Sequence, residues 1–268
     1  MERTNGIARQ PLSMRAAGRA AEAALALLLA LLVSLPWPGV VVAQGEAQSA
    51  GFSAEELEQI VAPIALYPDS LLAQVFMAST YPLEIVEAGR WTEKHAGLKD
   101  KALEDALKEQ TWDASVKSLV SFPDVLTMMN EKLDWTQKLG DAFLAQQSDV
   151  MDAVQRLRGK AKAQGNLESG EQQTIIVEQA SQSEPAIIRI EPANPQVVYV
   201  PTYNPTVVYG SWPYPSYPPY SYYPPGYTAA ASILSFGVGM AAGAALWGNC
   251  GWGWGGGDVD IDANRYNN

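Results

Sequence analysis

The chain has 268 residues, with 18 Lys and Arg against 29 Asp and Glu, one His, one Cys and 47% hydrophobic residues. That apolar fraction is enough for the core of one or two domains. A single His and a single Cys exclude a Cys/His zinc site and a disulfide framework within the chain, and the acidic balance argues against nucleic acid as a partner.

Residues 1–22 carry Arg3, Arg9, Arg15 and Arg19 against Glu2 and Glu22, and an apolar run follows from Ala23 to Leu35. Pro36-Trp37-Pro38-Gly39 breaks the run, and Val41 and Ala43 stand three and one residues before Gln44. A basic start, a short apolar stretch and small residues at that spacing predict a secretory signal over residues 1–43. Thirteen helical residues reach about 20 Å, short of a bilayer core of about 30 Å, which disfavours the competing reading as an uncleaved anchor. Met14 offers a second start within this long leader. Without residues 1–43 the net charge is −13, which suits solubility and discourages contact with anionic surfaces.

Residues 52–165 read as short helices around one core. Ser53 and Glu56 form a capping box, ahead of Leu57, Ile60, Val61 and Ile64 on one face. Tyr67-Pro68 ends that helix, and Asp69 is the expected cap of the next, whose stripe is Leu71, Leu72, Val75 and Phe76. Pro82 suits the first turn of a helix to about His95, with Leu83, Val86 and Trp91 facing inward. A charged helix over 100–110 follows, then an apolar face at Trp112, Val116, Leu119 and Val120, cut by Phe122-Pro123. One helical segment is expected from Pro123 to Leu139, and another opened by Asp141 with Phe143, Gln147, Val150, Val154 and Leu157. Arg156, Arg158, Lys160 and Lys162 at its end complement the helix dipole, and Gly165 stops it.

Residues 173–211 read as a small β annex. Its expected strands are Thr174–Val177, Ala186–Ile190, Val197–Val200 and Val207–Tyr209. The segments NPQVVYVP at 194–201 and NPTVVYGS at 204–211 repeat at ten residues, so a two-stranded unit of Asn-Pro turns and Val-Val-Tyr strands is expected, docked on the helices.

From Pro192 through Gly257 no residue is charged. Residues 212–228, rich in Pro and Tyr, are expected to be extended and to act as a spacer. Tyr214, Tyr217, Tyr220, Tyr222 and Tyr223 are its candidate contact residues, toward a partner protein or a polysaccharide. Residues 229–247 form an apolar helix candidate about 28 Å long, able to meet a membrane or self-associate through Gly239 and Gly243 on its small-residue face. Residues 248–268 complete a largely disordered tail, in which Asp258, Asp260 and Asp262 alternate as on a strand. Ala263 stands where a calcium loop would need Gly, which excludes an EF-hand.

Catalytic signals are sparse. His95 is the lone imidazole, and Glu84/Glu87 and Asp149/Asp152 are carboxylate pairs at helical spacing, the basis for the alternative of an envelope hydrolase or cell-wall-binding enzyme using carboxylates of the helical domain. No phosphate loop or nucleophile elbow appears, and no catalytic, cofactor or metal site is expected.

The segments ALYPDSLLAQVFMASTYPLEIVEAGRW (65–91), QTWDASVKSL (110–119), FPDVLTMMN (122–130), DWTQKLGDAFLAQQSDVMDAVQRLR (134–158), GNL (165–167) and IEPANPQVVYVPTYNPTVVYGSW (190–212) together resemble the bacterial domain of unknown function 3300. Ala114 departs from the Pro usual after Trp-Asp in that family. The resemblance implies an exported, envelope-associated protein without an established activity, so it carries over no catalytic residues. It further implies that the helical and Val-Tyr-Pro zones form one unit.

Overall fold

The computed structural model describes residues 51–178, 186–224, 233–237 and 240–241. The leader, Cys250, the aspartates of the tail and both Gly239 and Gly243 lie outside the described residues. The body is mainly helical: α1 (Ala54–Val61), α2 (Asp69–Ser79), α3 (Pro82–Lys94), α4 (Asp100–Lys108), α5 (Ala114–Leu119), α6 (Pro123–Glu131), α7 (Leu133–Ala145) and α8 (Gln147–Ala163). Among the described residues three small antiparallel sheets accompany it. They pair β1 (Gln173–Glu178) with β2 (Ile187–Pro192), β3 (Val197–Val198) with β6 (Met240–Ala241), and β4 (Pro201–Tyr203) with β5 (Leu234–Phe236). A short helix, α9 (Pro205–Val208), comes after β4.

The local signals act as elementary physics dictates. Ser53 Oγ accepts from the Glu56 amide at 3.2 Å, while the Glu56 carboxylate meets Lys138 at 2.6 Å instead of closing the box. Leu57, Ile60, Val61 and Ile64 are buried, and α1 lies along α8. Pro82 and Pro123 each occupy a first helical turn, where a missing N–H costs nothing. Gly165, with φ +73°, ends α8 in a Schellman turn: its amide reaches the Lys162 carbonyl and the Asn166 amide reaches Ala161, both at 2.9 Å.

At the centre α2 crosses α7, with the rings of Phe76 and Phe143 stacked 5.0 Å apart. Gly140 permits that approach, because a Cβ there would run into the Ser79 carbonyl. Gly140→Ala is therefore expected to lower stability by about 1–2 kcal/mol despite alanine's better helix propensity, read as a drop in Tm.

Several expectations need correction. The segment Pro123–Leu139 breaks at Lys132, whose φ of −109° and ψ of 52° separate α6 from α7. The last helix opens at Gln147; Asp141 and Phe143 belong to α7. Asp69 is the first helical residue of α2 rather than its cap, because its carboxylate is engaged elsewhere. On α3 Ile85 and Ala88 are buried and Trp91 packs against the core as expected, whereas Leu83 is 65% exposed. Both copies of the Asn-Pro repeat form the same turn, with Asn194 and Asn204 side chains accepting from Gln196 and Thr206 amides at 2.9 and 3.0 Å. The copies then diverge and do not pair with one another: Val197-Val198 joins a strand with Met240-Ala241, while Pro205–Val208 coils into α9. The helix expected over 229–247 is also overturned where it is described, since Leu234–Phe236 and Met240–Ala241 are strands. Among the described residues no helix is long and apolar enough to cross a membrane.

Candidate functional site

The connection from α1 to α2 runs through the interior, so its backbone polar groups need partners there. Two tyrosines and one arginine supply them. Tyr203 and Tyr209 direct their hydroxyls at the Ala62 carbonyl, at 3.0 and 2.8 Å, and the Leu66 amide donates to the Tyr203 hydroxyl at 3.3 Å. Arg158, fully buried on α8, donates to the carbonyls of Ala65, Tyr67 and Ile188 at 2.8, 3.0 and 2.8 Å. It also meets Asp69 Oδ1 at 2.6 Å, and the same oxygen accepts the Ile190 amide. One guanidinium thus ties α8, the α1–α2 connection and β2 together. Burial lowers the arginine's pKa while Asp69 opposes that shift, and a guanidinium stays charged regardless. Burial also pushes the phenols of Tyr67, Tyr203 and Tyr209 well above their ordinary range.

A second charged node lies between α1 and α8. Glu58, 1% exposed, accepts Arg156 at 2.7 Å and Lys160 at 2.5 Å. Lys160 Nζ in turn stands 5.3 Å from the Tyr214 ring centre and 5.6 Å from that of Trp212, near enough for cation–π attraction.

Those rings begin a strap. Residues 212–224 lie against the helical body instead of holding a tail away from it, which corrects the spacer expectation. Tyr214 to Tyr217 form a turn closed by a 3.0 Å amide–carbonyl bond, and Trp212 Nε1 donates to the Tyr217 carbonyl at 2.8 Å. Gln59 then holds the strap twice: its side-chain amide donates to the Pro218 carbonyl at 2.7 Å, and its carbonyl accepts the Tyr220 amide at 3.3 Å. Trp212 and Tyr222 pack against the core, and the buried Tyr222 hydroxyl has no hydrogen-bond partner among the described residues.

The candidate tyrosines therefore divide. Tyr214, Tyr217 and Tyr222 are half-buried against their own chain, whereas Tyr220 and Tyr223 are 38% and 41% exposed. The carboxylate pairs have structural surroundings. Glu84 accepts the Asp113 amide at 2.5 Å and Glu87 accepts Trp112 Nε1 at 3.0 Å, while Asp149 and Asp152 are exposed on α8. His95 stacks on Trp91 at 4.2 Å and donates through Nδ1 to the Trp91 carbonyl, 2.8 Å away. Among the described residues no group of three or more His, Cys, Asp or Glu could hold a metal ion.

Residue-type reasoning missed Arg158, Glu58 and Gln59. A usable signal existed for Arg158: it follows Val154 by four and precedes Ala161 by three, so it shares the buried stripe of α8. Nothing comparable marks Gln59.

The comparisons with known proteins cover both the helical body and the strap. Residues 53–268 match the family described as "Protein of unknown function (DUF3300)". "Uncharacterized protein YacH" of Escherichia coli (strain K12) is 39% identical over 220 residues, covering 72% of this chain and 36% of that protein, so the chain spans just over a third of its relative's length. No solved structure matches. With four-fifths of its length inside one family match, the chain belongs to the DUF3300 family.

Proposed function

We propose that the protein is an exported envelope module without catalytic activity, which contacts a partner through the aromatic strap. The basic and apolar segments of residues 1–43 support export. One observation supports the contact surface: in a strap fastened by Gln59 and Lys160, Tyr220 and Tyr223 are the exposed tyrosines, at 38% and 41%, on an acidic chain. Tyrosine supplies large, rigid contact area at small entropic cost, and a partner meeting this strip faces no charged group of the strap itself. The partner is envelope material, protein or polysaccharide, rather than nucleic acid, which a chain of net charge −13 without residues 1–43 repels.

Fractionation of cells producing the full chain tests export and contact together. The leader is expected to be cleaved and the protein to appear in the periplasmic or membrane pools. Tyr220→Ser with Tyr223→Ser is expected to shift it toward the freely soluble periplasmic pool. These exposed positions are preferable to deletion of residues 212–268, which would strip the helical body of its own packing. Retention in the cytoplasm with an intact leader would defeat the export reading, and an unchanged distribution of the double variant would defeat the contact surface.

A further inference from the structure

The β1–β2 hairpin has two outer edges, which the chain treats differently. Gln155 and Asp69 occupy the β2 side at Ile188 and Ile190. On β1 the Ile175 amide donates to Ser169 Oγ at 2.8 Å, and the Gln173 carbonyl accepts the Gly170 amide at 2.9 Å. The odd-numbered residues of β1 therefore turn their main-chain groups away from β2, while Thr174 and Ile176 pair across to Glu191 and Arg189. Closure of the β1 edge then stops. The Ile175 carbonyl, the Val177 amide and the Val177 carbonyl face outward, and among the described residues none of them has a hydrogen-bond partner. Such a row is the template on which one further strand is added.

The surroundings select the strand. Ile175 and Val177 pack against the core, so the body-facing side of an added strand continues an apolar surface. Carboxylates stand at both ends of the open row. Glu168 and Glu171 are exposed in the segment that Ser169 and Gly170 fasten along the edge, and Glu178, also exposed, is the last residue of β1. Arg189 is the only cation among the described residues of 168–193, and Glu178 and Glu191 already engage it at 3.1 and 2.5 Å. A second hairpin of this chain would set like charges together, whereas a strand carrying Lys or Arg meets its complement.

We propose that the open edge of β1 binds an extended basic segment of a partner protein, in which apolar and basic residues alternate. Its main chain pairs with Ile175 and Val177, its apolar side chains share their face, and its cations meet the carboxylates at the two ends of the row. The site shares no residue with the aromatic strap, and it stands or falls independently of what the strap contacts.

The test uses the full chain and a synthetic eight-residue peptide of alternating Lys and Val, with hydrogen exchange followed at single amides by NMR. In the free protein the Val177 amide is expected to exchange about tenfold or more faster than those of Thr174 and Ile176, which face β2. Saturating peptide is expected to slow Val177 about tenfold or more, and added salt to weaken the binding. A fully N-methylated peptide keeps every cation and loses every amide donor, and a peptide of alternating Glu and Val reverses the charge; neither is expected to bind. Val177→Pro removes only an amide that the β1–β2 ladder does not use, and is expected to weaken peptide binding about tenfold. A Val177 amide already slow in the free chain, no protection at any peptide concentration, or equal binding of the N-methylated peptide would each overturn the strand site. Equal binding of the Glu peptide would overturn the basic partner. Should the Val177→Pro variant lose the slow exchange of Thr174 and Ile176, and with it the hairpin, the peptide comparisons on the unaltered chain decide.

Discussion

Arg158→Ala is expected to destabilise the protein by about 3–5 kcal/mol, the usual consequence of deleting one partner of a buried ion pair. Stabilities of small domains are about 5–15 kcal/mol, so a loss of this size removes a large share of the total. The magnitude reflects the groups that the guanidinium leaves behind. The carbonyls of Ala65, Tyr67 and Ile188 lose a donor in the interior, and Asp69 loses the cation at 2.6 Å. Arg158→Lys is expected to recover little, because a single ammonium cannot reproduce a planar fork reaching carbonyls in several directions. Urea unfolding of the three proteins measures the series; an alanine variant within about 1 kcal/mol of the parent would contradict the assigned role.

The second large effect is alkaline unfolding. Tyr67, Tyr203 and Tyr209 are buried as neutral phenols, and burial raises each pKa above the unfolded reference of about 10. The folded state therefore holds these protons more tightly than the unfolded chain. Their contribution is fully present below pH 10 and is lost as pH rises above it, because the unfolded chain ionises first. At about pH 11 each tyrosine forfeits roughly 1.4 kcal/mol, and the three together about 4 kcal/mol. Urea midpoints from neutrality to strong alkali are expected to be flat and then fall steeply. Tyr209→Phe should weaken the starting stability, yet make the alkaline slope shallower by about a third. A slope unaffected by that substitution would mean that the phenol ionises in the folded state.

Much of the helical body was legible because its signals are local. Proline at first turns, the Ser53 cap and the stripe of Leu57, Ile60, Val61 and Ile64 each depend on neighbours within a turn or two. Errors arose where two readings share one pattern. Leu83, Ile85 and Val86 crowd three apolar residues into four positions of α3, and only the packing of that helix against its neighbours selects Ile85. The break at Lys132 has no Gly or Pro to announce it. It is held by distant and near bonds, Trp135 Nε1 to the Ile60 carbonyl and Thr136 Oγ1 to that of Met129. The Asn-Pro turns were readable in both repeats, but the conformation after each turn is decided by a partner: β6 for the first, and the packing of Val208 and Tyr209 for the second. Of the candidate contact strip, residue type indicated the tyrosines and could not show the Gln59 seat that divides them into inward and outward sets. The buried arginine was half legible: its spacing from Val154 and Ala161 places it on the buried stripe of α8, but charge at a helix end normally faces water.

The outer edge of β2 has a consequence of its own. Gln155 of α8 offers its side-chain amide to Ile188 as a neighbouring strand would, giving Nε2 to the carbonyl at 3.1 Å and taking the amide on Oε1 at 2.8 Å. Two positions along, Asp69 takes the Ile190 amide. The hairpin is therefore indexed against the helices like a key against its wards. A slide by one residue would turn Ile188 and Ile190 out of the core and present the wrong main-chain groups to both side chains. Ladder growth is blocked on that flank as well, so a short, isoleucine-rich hairpin does not seed fibrils there even when many copies crowd together.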